Sequence, residues 1–176
     1  SLMMVMRWQL AFPDTAVPFI GGMIKWLADL NGFASDGNLP SDLYNVFGAM
    51  HGTIMIFLGV VPLVVGAFGN YVVPLQIGAP DMAFPKLNMT SYWVYFVGGI
   101  IMLVSFFLPG GAANSGWTSY PPLSVIATTG QTFWILGMVF LITSSLLGSI
   151  NIIVTIIQLR APGLTWMRLP FFIWSQ

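Results

Sequence analysis

The chain has no cysteine and a single histidine, His51. The first absence excludes disulfides, thiolate zinc sites and cysteine-ligated iron–sulfur clusters. The second means that His51 alone completes neither a bis-histidine haem nor a multi-histidine metal centre. Any metal it holds needs ligands from elsewhere. Charge is scarce too: 6% of residues are charged, against roughly 25% in a soluble domain. Residues 43–80 and 87–159 contain no Asp, Glu, Lys or Arg. Each run exceeds the roughly 20 apolar residues that cross a bilayer core. The net formal charge is zero, which gives no electrostatic reason to propose nucleic acid as a partner. No positively charged leader precedes an apolar core, so no targeting signal is legible. The abrupt ends, SLMMVMRW and FFIWSQ, predict that both belong to longer helices of a larger polypeptide, incompletely represented by this chain.

What is present is apolar: 57% hydrophobic residues, with 19 glycines and 7 tryptophans. Small residues suit close-packed membrane helices and tryptophan suits bilayer interfaces. The pattern predicts an all-α integral membrane protein, a helix bundle forming one membrane domain over 1–176. Residues 1–8 end a helix and 9–42 form an outer loop, with a short amphipathic helix over 17–30. Spans follow at 43–75, 92–108 and 132–159. They are joined by a cytoplasmic loop at 76–91 and an outer loop at 109–131. A cytoplasmic loop at 160–168 leads into the start of a further span at 169–176. Pro62 within the first span bends the helix or frees a carbonyl, which is tolerable where it packs against protein. Lys86, Arg160 and Arg168 place the 76–91 and 160–168 loops on the cytoplasmic side by the positive-inside rule. Lys25 opposes that assignment.

Polar groups in lipid mark packed interiors or functional paths. His51 sits near the head of its span. It reads either as a buried, hydrogen-bonded side chain or as a metal ligand, the neutral imidazole being the ligating form. Asp81 is the only acidic residue after Asp42. It reads as a cap, a solvated charge, or a proton-collecting carboxylate at the mouth of an inward path. Asn70, Asn88, Asn151, Ser144, Ser145 and Ser149 either continue such a path with bound water or join helices. No nucleophile–base triad or phosphate loop is present.

Several segments resemble subunit I of the haem–copper oxidases. HGTIMIF, from His51 to Phe57, is similar to the haem-bearing start of that family's second helix. FGNYVVPLQIGAPDMAFPKLN, Phe68 to Asn88, is similar to its loop between helices two and three. GWTSYPPL, Gly116 to Leu123, resembles its third outer loop, LLGSINIIVTIIQLRAPG the end of helix four, and MRWQLAFP the end of helix one. The resemblance covers essentially the whole chain in order. It implies a piece of a core of about twelve helices, from the end of helix one to the start of helix five. It further implies that His51 is an axial ligand of a low-spin haem, haem A by analogy. Arg7 would hydrogen-bond a substituent of that haem and Trp117 would lie near its propionates. Asp81 would open a proton path continued by Asn70, Asn88 and Asn151, with Ser144 and Ser145 along it. The family's usual Asn-Asn is Asn88-Met89 here.

The high-spin haem and the copper would be held by later helices, so this chain carries no oxygen-reducing residue. The implied function is a proton-pumping terminal respiratory oxidase. The implied partners are the rest of subunit I, a copper-bearing subunit II, subunit III, cytochrome c or a c-type haem domain, and membrane lipid. The implied location is the bacterial cytoplasmic membrane, the mitochondrial inner membrane being the alternative. Quinol-oxidising members carry a histidine eight residues before the haem ligand and a glutamine five before it. Leu43 and Val46 stand there, so the pattern resembles the aa3-like cytochrome c oxidases. A diverged quinol oxidase, and a haem-free transporter or assembly subunit, are the other readings of the same residues.

Overall fold

A computed structural model describes residues 2–176. Among the described residues there are helices and no strand, only an isolated bridge between Ala112 and Gly130. Three helices are long and apolar enough to cross a membrane: Ser41–Ile77, Pro85–Ser105 and Thr129–Gln158. The protein is an all-α integral membrane protein. The helices run in the order α1 (Leu2–Ala11), α2 (Gly21–Asn31), α3 (Ser41–Thr53), α4 (Asn70–Ile77), α5 (Pro85–Ser105), α6 (Leu123–Ile126), α7 (Thr129–Gln158) and α8 (Phe171–Ser175).

The first long helix is not α-helical throughout. Between α3 and α4 it is π-helical over Ile54–Val60 and Pro62–Gly69. Pro62 has no N–H, so the Leu58 carbonyl four residues earlier has no α-helical donor. The Tyr95 hydroxyl of α5 donates to that carbonyl at 2.8 Å. The freed acceptor is thus satisfied by a neighbouring helix, as lipid requires. Helix α5 starts at Pro85, inside the segment expected to be a loop. A proline suits a first helical turn because that N–H has no intrahelical partner anyway. Helix α7 likewise starts at Thr129. A Cβ on Gly130 would lie 2.1 Å from the Gly111 carbonyl oxygen, so only glycine lets α7 begin against the backbone of the 110–112 loop.

The chain forms two compact units. The first comprises the residues up to Ile56 with Gly99–Met138, and the second Phe57–Gly98 with Val139–Gln176. In the first, the fully buried Leu43, Met50 and Met102 belong to the core, and Phe47 meets Phe106 edge-on with ring centroids 6.2 Å apart. Asn31, buried at the end of α2, donates to the Phe106 carbonyl at 3.2 Å, while its own carbonyl accepts from the Gly110 N–H at 3.1 Å. This satisfies backbone groups just beyond α5, where a helix end leaves orphans. In the second unit, Val73, Ile77, Met82, Ile152, Ile156 and Ile173 form one apolar cluster. Within a bilayer such a cluster gains from van der Waals fit rather than from leaving water.

The cytoplasmic segments assigned from charge lie in the second unit. There the Ala161 N–H donates to the Ile77 carbonyl at 2.8 Å, tying the 160–168 turn to the end of α4. Lys25 lies in the first unit, its ammonium 3.9 Å from the Asp36 carboxylate.

Candidate functional site

The residues singled out in the sequence divide cleanly. Arg7, His51 and Trp117 belong to the first unit. Asp81, Asn70, Asn88, Asn151, Ser144 and Ser145 belong to the second.

In the first unit His51 lies in the last turn of α3, half-buried. Its imidazole has no hydrogen-bond partner among the described residues. The two glycines near it, Gly48 and Gly52, bring neighbours in. A Cβ on Gly48 would lie 3.3 Å from the Met6 methyl, and one on Gly52 would lie 3.4 Å from the Trp117 ring. Trp117 therefore packs against the residue next to His51, and the residue preceding Arg7 packs against the turn before it. Arg7 itself is exposed and forms no ion pair among the described residues. Beside it, the Trp8 indole N–H is buried without an acceptor among the described residues.

A haem axial ligand must be a neutral imidazole with an uncommitted nitrogen, reachable by a flat apolar ring. The uncommitted imidazole, the two missing side chains and the orphaned indole donor fit that requirement. Among the described residues no group of three or more His, Cys, Asp or Glu side chains is placed to hold a metal ion.

Two side chains absent from the sequence-based selection fix the turn of His51. The Trp134 indole of α7 donates to the Thr53 hydroxyl at 3.1 Å, and that hydroxyl donates to the Ala49 carbonyl at 3.3 Å. Thr53 is fully buried and Trp134 nearly so. One turn earlier on α7, buried Gln131 accepts from the Ser115 hydroxyl and donates to the Ser119 hydroxyl at 2.7 Å. Ser115 and Ser119 bracket Trp117. Ser119 sits in the left-handed region at φ 51°, where a side chain costs about 1–2 kcal/mol.

In the second unit Asp81 is exposed in the turn between α4 and α5, and its carboxylate accepts from the Met82 N–H at 2.7 Å. It does not cap α5, which begins four residues later. Asn151 is fully buried. Its amide oxygen accepts from the Phe84 N–H at 2.9 Å, and its amide nitrogen donates to the Phe84 carbonyl at 3.3 Å. Thr155, one turn on, accepts from the Ala83 N–H at 2.9 Å and donates to the Asn151 carbonyl at 2.6 Å. The segment after Asp81 is clamped by α7 through side chains that replace its missing backbone partners.

The remaining polar residues are placed differently from one another. The Asn70 amide nitrogen donates to the Gly66 carbonyl, while its amide oxygen is buried and unpartnered. The Asn88 amide makes no hydrogen bond among the described residues, and its backbone carbonyl accepts from the Ser91 hydroxyl at 2.8 Å. Ser144 donates to the Ser91 carbonyl at 2.6 Å, joining α7 to α5. Ser145 is exposed, and its carbonyl accepts from the Ser149 hydroxyl at 2.9 Å. Thr53, Trp134, Tyr95 and Thr155 have partners 37 to 81 residues away in sequence, and Gln131 has its partners in the preceding loop, so no local pattern of their own marks them. The one local hint was Pro62, which announces a carbonyl in need of a donor.

Comparison with known proteins gives a consistent picture. Residues 1–176 match the family described as cytochrome c and quinol oxidase polypeptide I. Cytochrome c oxidase subunit 1 of Thermostichus vulcanus is 54% identical over 138 residues, covering 78% of this chain and 25% of that protein. The protein of the same name from Corynebacterium glutamicum is 44% identical over 161 residues, covering 89% of this chain and 27% of its own length. That from Bacillus sp. strain PS3 is 50% identical over 139 residues, covering 78% of this chain and 22% of its own length. The chain spans about a quarter of the length of the relatives it matches.

Proposed function

The chain belongs to the cytochrome c and quinol oxidase polypeptide I family, and from that premise we propose that it is the segment of an oxidoreductase subunit that holds one side of a low-spin haem. In this reading it is part of the catalytic subunit of a terminal oxidase that takes electrons from cytochrome c, reduces oxygen to water and pumps protons. The observation that carries the reading is the environment of His51: an uncommitted imidazole, flanked by two close-packed glycines, with Trp117 against one of them.

A haem bound there would supply one-electron transfer. His51 would hold it through a ring nitrogen, and Met6 and Trp117, packed close to Gly48 and Gly52, would border the turn that carries the ligand. Arg7 offers the planar fork of donors that suits a carbonyl or carboxylate on the ring edge. Trp117 covers the apolar side of the turn. A second ligand for that haem, and the high-spin haem and copper of the complete subunit, would be held by residues outside this chain. The partners then follow as the rest of subunit I, the copper-bearing subunit II and subunit III. The relatives named above are bacterial, which supports the bacterial cytoplasmic membrane as the location.

In the second unit Asp81 collects protons on the cytoplasmic side, where Lys86, Arg160 and Arg168 also lie. The unpartnered Asn70 oxygen and the uncommitted Asn88 amide are the groups available to orient water inward. Ser144 and Ser145 extend the same side of the path along α7. Asn151 serves this path by holding the segment that follows Asp81, since both ends of its amide are engaged by Phe84.

Leu43 and Val46 are fully buried and apolar, so they offer no hydrogen-bonding surface to a quinol head group. This supports cytochrome c as the donor. Turnover of the complete enzyme on reduced cytochrome c and on quinol decides the matter. Rapid oxidation of cytochrome c without quinol turnover is expected, and turnover on quinol alone with no separate reductase present overturns the assignment.

A further inference from the structure

Helix α7 contributes no residue that faces the iron in the reading above, yet it supplies the hydrogen bond that sets the turn carrying His51. We propose that Trp134 is a positioning residue for the low-spin haem ligand, acting through Thr53. The inference rests on the assignment of His51 as that ligand.

The geometry is specific. Thr53 is two residues after His51 and fully buried, so its hydroxyl cannot be satisfied by water. It gives its proton to the Ala49 carbonyl and receives the Trp134 N–H at 3.1 Å. Trp N–H is donor only and the hydroxyl is both donor and acceptor, so the chain Trp134 to Thr53 to Ala49 has a single polarity. Ala49 and Thr53 bracket His51 in sequence. The bond therefore holds one complete turn of α3 against α7, at the point where the long helix changes from α to π at Ile54. A π-helical stretch has a different angular step per residue. The bond therefore anchors the last α-helical turn, the one that carries His51, just before that change of winding.

The same face of α7 is itself held firmly. Gly130 allows the helix start to touch the 110–112 backbone, and Gln131 binds Ser115 and Ser119 on either side of Trp117. One rigid helical turn thus fixes both the ligand's turn and the loop that covers it. Ligand orientation tunes a metal through such partners as surely as ligand identity does.

The test uses the complete assembled oxidase. Trp134→Phe removes the N–H and keeps most of the ring, and Thr53→Val removes the acceptor at nearly equal volume. The readout is the low-spin haem's reduced-minus-oxidised spectrum and its electron occupancy at fixed potential. Each variant is expected to change the reduced-to-oxidised ratio about two- to tenfold, the range of one hydrogen bond's net free energy. Both should move it in the same direction, and the double variant should go no further than either alone. Thr53→Ser, which keeps the hydroxyl, should behave as wild type.

An unchanged spectrum and occupancy in both single variants, with the band still lost in His51→Leu, overturns the positioning role alone. Survival of the band in His51→Leu overturns the ligand assignment and the positioning role with it.

Discussion

The two compact units of this chain use polar side chains for opposite purposes. In the first, the His51 imidazole has no partner among the described residues, while Thr53 and Trp134, two and more residues on, are bonded to each other and Gln131 to Ser115. In the second, Asn151 and Thr155 are spent on backbone groups of the Met82–Phe84 segment, and the group left exposed is the Asp81 carboxylate. A fixed site for a rigid cofactor needs one free ligand in a frame that does not move. A proton entrance needs a charge at the surface and a turn that keeps its shape as the charge comes and goes. Under the proposed function, the difference would put electron handling in the first unit and proton handling in the second.

The largest effect that would break this division is expected from His51→Leu. Oxygen consumption should fall by more than the roughly 10- to 100-fold that loss of an outer-shell partner costs a metal site. Asp81→Asn is next. Asn keeps an oxygen to accept the Met82 N–H, so the turn should persist while the charge is lost. Turnover should slow by about tenfold, less than the 10²–10⁴ typical of a group that moves a proton at the reacting atoms. Proton release per electron in reconstituted vesicles should also drop. Wild-type turnover with a wild-type ratio would leave Asp81 only a structural part.

Asn151→Leu strips the Phe84 N–H and carbonyl of their partners. It should destabilise the complete protein by roughly 1–3 kcal/mol, seen as a lower unfolding temperature and faster proteolysis of the 82–84 segment. Tyr95→Phe should cost less, roughly 0.6 kcal/mol, the average for a hydrogen bond between membrane helices. Its mark is earlier hydrogen exchange around Leu58. A cost as large as that of Asn151→Leu would mean that the π-helical stretch depends on this one bond.

The three long apolar helices coincide with stretches that charge and hydropathy single out, because a bilayer demands the same signal of every span. Their edges were less legible. Pro85 and Gly130 look like breakers, yet each sits in the first turn of a helix, one because its missing N–H is harmless there and the other because the 111–112 backbone leaves no room for a Cβ. The π-helical winding was not foreseen; Pro62 signals a freed carbonyl, and only the fold reveals Tyr95 as its donor. Among the candidate site residues, His51 and Asp81 stand out by being the lone ionisable groups in apolar surroundings. Trp134 and Thr155 look like ordinary members of an apolar helix until their partners, 81 and 72 residues away, are placed beside them.

The division of labour is tested most directly by one spectrum, the reduced-minus-oxidised difference of the complete oxidase, recorded for His51→Leu and Asp81→Asn side by side. The account predicts that the low-spin haem band is absent from the first and unchanged in the second. A band that survives in His51→Leu, or is lost in Asp81→Asn, contradicts it.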